Sequence, residues 1–491
     1  MEEEWTADAN EAITLSLVIP DNNNKDNITT IETFKPKFTY PIFGEDERIF
    51  GYKGLKINLT FDARDFRPHF SMSSSRKFTP VGDVEALDVK ETMKEYLTGA
   101  AFQSRSLFTR AVQEQNDSWG PLGKLVKKIE KDGEIYEIWH GTLDDPLVRQ
   151  MMKRIQIMVL FFIEGGSYII DMDEVGESEA SLARWSVYWV YKKTATNQYF
   201  FQGFATTYDF WMFQKPASTI LPGSEKESDS WELPKGDTND GMIHRMRISQ
   251  FLILPPYQGK GLGSFLYSTI YEIAMNSATT TELTVEDPNE DFDLLRDLCD
   301  ITYLRKNVPE FAELKINTDV SVPGKGGLLH DTTQISPSDG SRSSTGIVDT
   351  EKLESIRVKN KIAPRQFSRL VEMQLMSKLP DSVRPRAEPE AKKPTASKED
   401  KHEYGLWRLL LKQRLYRRNV SILGEFEVTE RIIKLNETLD NVEWEYARIL
   451  DRIESKSVAP GEALVSRGKR KPDDEADAES RSDKKARVSE A

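Results

Sequence analysis

The amino-acid sequence predicts a mixed α+β fold, with strands and helices in the N-terminal and central parts of the chain and helices alone near the C-terminus. Three patterns predict it. Alternating apolar residues between about Ala12 and Phe61 are typical of strands, apolar runs from residue 155 onward lead into a glycine turn, and helical periodicity returns after Pro364. The order strand, glycine turn, helix, strand indicates a crossover within a mixed sheet.

The first 145 residues are predicted to form a small α+β domain. Ile13, Leu15, Leu17 and Ile19 occupy alternate positions, as in a strand with one buried face. Turn residues separate this segment from further predicted strands over residues 38–43, 55–61 and 136–140, and a stretch of mixed helix and loop is predicted over residues 84–109.

Residues 146–317 are predicted to form the core domain. A helix begins near Pro146, and apolar or alternating runs that we interpret as successive strands follow over residues 155–163, 185–191, 199–208 and 247–254. A helix from near Phe265 and a strand over residues 282–286 complete the core. Consecutive strands of this kind pair as hairpins, which places the glycine turn at the crossover.

The rest of the chain divides by composition. Residues 318–350 are rich in Gly, Ser, Pro and Asp and are predicted to be a flexible linker. Residues 351–455 are predicted to be a helical domain for packing or partner docking, with helices over 364–376, 404–416 and 427–453. Residues 456–491 are predicted to be a disordered charged tail. Its basic clusters at 467–471 and 484–487 resemble a bipartite nuclear-import signal, although such clusters also arise in any charged tail.

Composition limits the classes of partner and cofactor. The net charge is −13, which disfavours nucleic acid and favours a basic partner, unless the surplus acid serves only solubility. No apolar run is long enough to cross a bilayer and no basic leader precedes one, so we expect a soluble intracellular protein without a membrane partner. A single cysteine, Cys299, and five scattered histidines indicate no metal site.

The segment from Gln258 to Ser264 is the most informative motif. Glycines after a strand allow the backbone to approach an anion, and the helix that follows directs its first amides and its positive dipole end to the same place. The spacing matches neither a P-loop nor a dinucleotide fingerprint. Gln258, Gly261 and Gly263 instead resemble the acetyl-CoA pyrophosphate loop of the GNAT acetyltransferases, while an ordinary strand-to-helix turn remains the alternative.

Several separated motifs extend this resemblance. Residues 283–290 read Leu-Thr-Val-Glu-Asp-Pro-Asn-Glu, and residues 43–47, 50–57 and 249–258 occur in the order of one family. Between about Ala12 and Asn317 the chain resembles the catalytic subunits of type B histone acetyltransferases. The resemblance implies a GNAT acyltransferase core that transfers acetyl from acetyl-CoA to lysine ε-amines.

The chemistry of that transfer requires a base. A lysine with a pKa near ~10.4 is mostly protonated at neutral pH, and a glutamate with a pKa near ~4.3 is a weak proton acceptor unless burial or a water relay assists it. By resemblance Glu286 is the general base, with Asp287 and Glu164 as carboxylates that share or support that role. Cys299 falls on a helical pattern and is interpreted as a core residue, so direct attack in a ternary complex is expected.

The resemblance also assigns the coenzyme site. The backbone of Phe251, Leu252 and Ile253 would pair with the pantetheine arm as an added strand does, and one amide would polarise the thioester. Asn289 would add a contact. The pyrophosphate would lie in a loop whose residues are Gln258, Gly259, Lys260, Gly261, Leu262, Gly263 and Ser264. The side chain of Lys260 is expected either to contact the phosphates or to point into solvent, with equal weight.

The substrate expected by resemblance is the N-terminal tail of newly made histone H4, and the expected partner is a WD-repeat histone-binding subunit. Acidic and aromatic residues would contact the tail: Glu45, Asp46, Glu47, Trp185, Tyr208, Asp209 and Phe210. Without the resemblance, the three acidic residues would be interpreted as a solvated loop and the aromatic residues as part of the core. Nuclear and cytoplasmic localisation is expected.

Two other functions remain open from the sequence. The chain could be a histone-binding escort that retains a coenzyme fold without catalysis, or a GNAT enzyme that acetylates another amine. The linker, the interruption at residues 381–401 and the charged tail depart from the minimal family pattern, which leaves the packing of the C-terminal helices open.

Overall fold

A computed structural model describes residues 3–21, 24, 27–115, 119–169, 179–212, 243–321, 333–335, 342–344, 346–387 and 394–458. Two compact units divide the chain at Ile273 and Ala274. No helix among the described residues is long and apolar enough to cross a membrane. Strands and helices both contribute extensively, which confirms the mixed α+β fold.

The first unit contains two main sheets and the helices around them. In chain order its elements are β1 (Thr6–Asp8), α1 (Ala9–Ala12), β2 (Ile13–Pro20), β3 (Ile28–Phe34), α2 (Tyr40–Phe43), β4 (Arg48–Phe50), β5 (Tyr52–Lys53), β6 (Lys56–Asp62), β7 (Pro68–Ser73), β8 (Arg76–Lys77), α3 (Val89–Lys94), α4 (Arg105–Gln113), β9 (Lys124–Lys131), β10 (Glu134–Thr142), α5 (Pro146–Ile155), α6 (Ile157–Phe162), α7 (Glu179–Leu182), β11 (Trp185–Lys193), β12 (Tyr199–Trp211), β13 (His244–Ile253) and the start of α8 (Leu262–Asn276).

The N-terminal sheet has the strand order β3-β2-β6-β7. Strands β2 and β6 are parallel with Leu15 opposite Leu59, and both side chains are fully buried. Alternation of apolar residues in β2 and β6 therefore buries one face of the sheet, as the sequence predicts.

A tight turn after β6 joins this sheet to the second one. The amide of Phe201 in β12 donates to the carbonyl of Ala63 at 2.8 Å. Phe66 has a φ of 57° and is fully buried, with its ring centroid 5.0 Å from that of Phe201. Arg64 makes two hydrogen bonds with the buried carboxylate of Asp62 and a third with the carbonyl of Val112. The turn is thus held by both aromatic packing and a satisfied ion pair.

The second sheet of this unit is an antiparallel meander in which β9, β10, β11, β12 and β13 pair in chain order. The strand predicted at residues 136–140 extends over Glu134–Thr142 and pairs with β11. The sheet of the core domain therefore begins before the boundary predicted after residue 145. Trp189 and Phe204 face each other across β11 and β12 and are fully buried.

The second unit begins with the last turn of α8 and is mainly helical. Its further elements are β14 (Thr280–Val285), α9 (Glu290–Asn307), α10 (Pro309–Ala312), β15 (Thr333–Ile335), β16 (Arg342–Ser344), α11 (Thr350–Lys359), α12 (Pro364–Lys378), α13 (Lys398–Arg418), α14 (Val420–Gly424) and α15 (Val428–Val458). The three C-terminal helices predicted from periodicity correspond to α12, α13 and α15, which confirms them.

Two predicted strands are wrong. Residues 40–43 form α2, because Pro41 suits a first helical turn and a carboxylate, that of Glu47, accepts the amides of Thr39 and Tyr40. Residues 155–163 contain the end of α5 and all of α6. Five consecutive residues of α6 are buried, Ile157 to Phe161, so no amphipathic period is visible there.

The predicted linker is only partly described. Strands β15 and β16 pair antiparallel within it, and Ile347 and Val348 are buried. The amide of Asn317 donates to the carbonyl of Ile347 at 2.9 Å. Part of the predicted linker is therefore structured. The predicted import clusters at 467–471 and 484–487 lie outside the described residues.

Candidate active site

The glycine motif forms a turn between β13 and α8. After Ile253, residues Pro255–Tyr257 make one turn of 3-10 helix, and the Gln258 side-chain amide donates to the Ile253 carbonyl at 2.8 Å. Helix α8 begins at Leu262, three residues earlier than the predicted start. The amides of Leu262, Gly263 and Ser264 therefore belong to the first helical turn, where they have no intrahelical acceptor.

Two glycines make the turn possible. Gly259 has a φ of 74° and Gly261 a φ of 80°, a region that L side chains rarely adopt. Gln258, Gly259, Lys260 and Ser264 are exposed. An exposed turn with free helical amides and a positive dipole end is suited to an anion such as pyrophosphate. The predicted loop therefore has the geometry of a phosphate cradle.

Two lysines lie at this turn. The Nζ of Lys260 lies 5.3 Å from the centre of the Tyr257 ring, so its side chain folds back over that ring. The Nζ of Lys131, at the end of β9, donates to the backbone carbonyl of Lys260. Sequence reasoning missed Lys131, because a lysine 129 positions away carries no local signal for a contact with the loop.

Strand β13 presents the residues expected to bind the pantetheine arm. Gly203, Phe204 and Ala205 of β12 pair with Ile253, Leu252 and Phe251 on one side of the strand. A Cβ on Gly203 would lie 2.4 Å from the Leu252 carbonyl oxygen, so only glycine allows this approach. The backbone of Phe251, Leu252 and Ile253 is thus held at a fixed position next to the cradle.

Glu164 lies in an exposed loop that two long-range hydrogen bonds hold. The amide of Gly165 donates to the Tyr40 hydroxyl at 2.7 Å, and the side-chain amide of the buried Gln250 donates to the Ser167 carbonyl at 2.9 Å. Gln250 immediately precedes Phe251 in β13. These contacts tie the Glu164 loop to the strand that carries the expected coenzyme contacts.

The three residues of the acidic loop differ in their surroundings. Glu45 and Asp46 are exposed. Glu47 is half-buried at a φ of 52°, and its carboxylate accepts the amides of Thr39 and Tyr40 at 2.6 and 3.1 Å and the Asn10 side-chain amide at 2.7 Å. Glu45 and Asp46 can therefore meet a basic peptide directly, whereas the Glu47 carboxylate already holds the loop together.

The expected aromatic contacts form one cluster at the ends of β11 and β12. Trp185 lies opposite Tyr208 with ring centres 4.8 Å apart, and Tyr208 makes an edge contact with Phe210 at 4.7 Å. The guanidinium of Arg184 lies 4.4 Å from the Tyr208 ring, and that of Arg247 lies 4.3 Å from the Phe210 ring. The rings are half-buried, so they present edges to solvent as well as packing together.

Asp209 lies within this cluster but on the other face of its strand. Burial raises the pKa of Asp209, while His244, whose Nε2 lies 3.5 Å from Oδ1, and Arg184 act in the opposite direction. Its carboxylate therefore lies beside His244 and Arg184 of its own unit, away from the face that carries Tyr208 and Phe210.

The remaining site residues belong to the second unit. Glu286 is exposed and follows the last residue of β14 directly. Asp287 has a φ of 34°, and Asn289 caps α9 by accepting the amide of Phe292 at 2.9 Å. Strand β14 thus ends one residue before the predicted end and leaves two carboxylates exposed. Among the described residues, no group of histidine, cysteine and carboxylate side chains could hold a metal ion.

Comparisons with known proteins assign the chain to a family. Sequence profiles match at residues 5–164 (described as the histone acetyl transferase HAT1 N-terminus), 234–291 (the acetyltransferase, or GNAT, family) and 334–380 (the fungal HAT1 C-terminal region). The histone acetyltransferase type B catalytic subunit of Gibberella zeae is 42% identical to this chain over 99% of both sequences. The catalytic subunit of Pyricularia oryzae is 41% identical over 99% of both sequences. That of Candida albicans is 32% identical over 91% of this chain and 90% of the relative.

The chain belongs to the type B histone acetyltransferase catalytic subunits. It is a histone acetyltransferase with a GNAT domain, and the GNAT profile implies that it binds acetyl-CoA. That profile contains the whole cradle together with Glu286, Asp287 and Asn289. The expected coenzyme loop and two of the three expected carboxylates, Glu286 and Asp287, therefore lie inside one matched region, whereas Glu164 is the last residue of the N-terminal match.

Proposed function

We propose that this histone acetyltransferase transfers acetyl from acetyl-CoA to lysine ε-amines of free, newly synthesised histone H4 by direct attack in a ternary complex. The cradle carries the proposal, because an exposed glycine turn with unpaired helical amides lies inside the acetyltransferase profile. Residues Gln258 to Ser264 would bind the pyrophosphate, and the backbone of Phe251 to Ile253 would orient the pantetheine arm.

The reaction needs one proton acceptor and one polarised carbonyl. The neutral lysine nitrogen attacks the thioester carbon, its proton passes to Glu286, the C–S bond breaks and the thiolate of coenzyme A leaves. A β13 amide donates to the carbonyl oxygen as negative charge develops. Because Glu286 is exposed, burial does not assist it, and the proton would reach its carboxylate through a water molecule. Asp287 and Glu164 would support this role.

Charge complementarity supports histone H4 as the substrate. The exposed Glu45 and Asp46 suit the lysines and arginines of a histone tail, and the rings of Trp185, Tyr208 and Phe210 offer apolar edges for the lysine stems. A WD-repeat histone-binding subunit as partner, and localisation to both nucleus and cytoplasm, complete the proposal on the basis of family resemblance.

The test compares the full chain with the Glu286→Gln variant on a histone H4 tail peptide and acetyl-CoA. We expect kcat to fall by about 10²- to 10⁴-fold, the usual contribution of a general base. Glu290→Gln is the matched control, because it removes an exposed carboxylate only four residues away. Unchanged turnover in Glu286→Gln would exclude Glu286 as the base.

Two product analyses separate the other functions. Mass spectrometry of a histone mixture after reaction should find acetate on lysine ε-amines of histone H4. Acetate on a free α-amine or on a polyamine would instead identify a different GNAT enzyme. Tight histone binding without any transfer at saturating acetyl-CoA would identify a non-catalytic escort.

A further inference from the structure

Lys131 contacts the cradle from a distant strand. It is the last residue of β9, and its ammonium donates to the backbone carbonyl of Lys260. Neither the sequence pattern of the cradle nor the expected coenzyme contacts include this residue. Among the described residues no carboxylate forms an ion pair with Lys131, whose contact is the Lys260 carbonyl.

The contact fixes the direction of one peptide group. In a trans peptide the carbonyl and the following amide point in opposite directions. Since the Lys260 carbonyl points to Lys131, the amide of Gly261 points to the other side of the turn. Glycine at positions 259 and 261 makes this segment free to rotate. Lys131 therefore prevents the negative end of the 260–261 peptide from turning into the anion site.

A side chain at position 261 would also displace Lys131 from its contact with the turn. A Cβ on Gly261 would lie 2.8 Å from the Nζ of Lys131, whereas a Cβ on Gly259 would meet nothing within 4 Å. Both glycines have positive φ. Backbone strain is thus common to the two positions, and the contact with Lys131 distinguishes them.

A second lysine of β9 provides an internal comparison. Residues 127 and 131 lie on the same face of the strand, because side chains alternate. Lys127 pairs with Glu272 of α8 at 2.6 Å, so its charge is compensated by the helix side chain. Two lysines of one strand face thus reach α8 and its preceding turn, and of these two Lys131 is the one that contacts the cradle.

We propose that Lys131 is a further positioning residue of the coenzyme site, which orients the 260–261 peptide for the pyrophosphate. The inference rests on the proposed function, since it takes acetyl-CoA as the anion. It assigns to strand β9 a part in coenzyme recognition, in addition to its position at the edge of the sheet.

The test measures binding of coenzyme A to the full chain by calorimetry, which needs no turnover. We expect Lys131→Met to weaken binding by about tenfold, the effect of losing one charge-assisted hydrogen bond. Lys127→Met should stay within about twofold of wild type, and Lys131→Arg should retain most of the affinity because it keeps the charge. Coenzyme binding without acetyl transfer would contradict the proposed function while leaving this inference intact.

Kinetics and a coenzyme analogue sharpen the result. In Lys131→Met the KM for acetyl-CoA should rise while kcat and the KM for the peptide stay unchanged, as expected when uniform binding is lost. The affinity ratio between wild type and Lys131→Met should be equal for coenzyme A and 3′-dephospho-coenzyme A. A loss confined to coenzyme A would place Lys131 at the 3′-phosphate and would overturn its assignment to the cradle.

A double-mutant cycle gives a second, independent measurement. Gly261→Ala should weaken coenzyme binding more than Gly259→Ala, and the difference should shrink in the Lys131→Met background, because the contact is then removed. The inference is wrong if Lys131→Met binds coenzyme A as tightly as wild type, or if Lys127→Met loses as much affinity.

Discussion

Glu47 differs from its two acidic neighbours in what its carboxylate does. Three donors from the N-terminal region, the amides of Thr39 and Tyr40 and the side chain of Asn10, already bind it. Glu45 and Asp46 remain exposed on the same loop. One loop of three acids thus combines a residue that holds the backbone with two that can meet a basic peptide.

This difference predicts that substitution of Glu47 affects stability, whereas substitution of Glu45 or Asp46 affects peptide binding. Glu47→Gln should lower the stability of the first unit by about 1–3 kcal/mol, because half-buried donors lose a charged acceptor. Glu45→Gln and Asp46→Asn should leave Tm unchanged and raise the KM for a histone H4 tail peptide, with the effect diminishing at high salt. Thermal unfolding measures the stability of each variant, and steady-state kinetics measures its KM for the peptide. A stable Glu47→Gln protein with a raised peptide KM would show that Glu47 contacts the tail instead.

His69 is buried with one ring nitrogen, Nδ1, lacking a hydrogen-bond partner. Burial, and to a smaller extent Arg105, lowers the pKa of His69, so the folded state favours the neutral ring. Its contribution to stability is therefore complete above the unfolded pKa of about 6.5 and is lost as the pH falls below that value toward the folded pKa.

His69→Phe should remove part of this acid sensitivity. Between about pH 7.5 and 5.5, wild type should lose up to about 1.4 kcal/mol more stability than the variant. Urea unfolding of the first unit at both pH values measures this, and the difference between the two pH values cancels any change in packing against Phe108. Equal losses in the two proteins would contradict the assignment.

Single residues of the site could be predicted from the sequence where the signal is local. The turn glycines, the exposed Gln258 and Glu286 at a strand end follow from short motifs and their spacing. Lys131, Gln250 and Tyr40 could not be predicted as site residues, because their contacts join positions that are 83 to 129 residues from the loops they hold. The distance of Gln250 from Ser167, 83 positions, shows the same problem.

At the scale of elements, a short segment after α11 supports both α8 and β14. The ammonium of Lys361 donates to two carbonyls of the last turn of α8, that of Ala274 at 2.9 Å and that of Met275 at 3.2 Å. It also donates to the carbonyl of Ser277, just after the helix, at 2.5 Å. Its own carbonyl accepts the amide of Leu283 in β14 at 2.8 Å. One residue thus caps the helix that follows the cradle and pairs with the strand that precedes Glu286.

Lys361→Met should therefore destabilise the second unit by about 2 kcal/mol, since unpaired carbonyls at a helix end lose a charged donor. Lys359→Met, which removes an exposed lysine from the end of α11, is the control and should change stability by less than about 0.5 kcal/mol. Thermal unfolding checks both. Equal Tm values for wild type and Lys361→Met would mean that water replaces the ammonium at no cost.

Elements with a clear period were predicted, and elements whose period is hidden were not. Strands β2, β6 and β12 and helices α12, α13 and α15 have apolar faces that alternate or repeat along the sequence. Helix α6 is buried on all sides, and α2 is a four-residue helix set by a tertiary carboxylate. The pairing of β10 with β11 also depends on long-range contacts, which local sequence patterns do not contain.

At the scale of the whole molecule, the two compact units have cores of different kinds. The helical unit contains a buried polar centre at Glu372, which is 3% exposed. Arg414 donates twice to its carboxylate, at 2.6 and 2.9 Å, and the Tyr446 hydroxyl donates to it at 2.9 Å. This centre joins α12, α13 and α15 through side chains that satisfy one another.

We expect the two units to unfold in separate transitions, and Glu372→Gln to lower only the transition of the helical unit. The expected loss is about 3 kcal/mol, because the half-buried Arg414 and the buried Tyr446 hydroxyl would lose their charged partner. Glu430→Gln removes an exposed ion-pair member of α15 and should cost less than about 1 kcal/mol. Urea unfolding followed by circular dichroism measures both. A single transition that shifts as a whole would show that the units unfold cooperatively.

Strand β9 is paired on one side by β10, and the described residues place no strand on its other side. A strand open in this way offers unpaired amides and carbonyls on which another chain could add a strand and begin to aggregate. Lysine occupies four of its eight positions, 124, 127, 128 and 131. Charged side chains at this density oppose such strand addition. The meander therefore ends in a strand that protects the molecule from association through its open edge, while one of the same lysines reaches into the coenzyme loop.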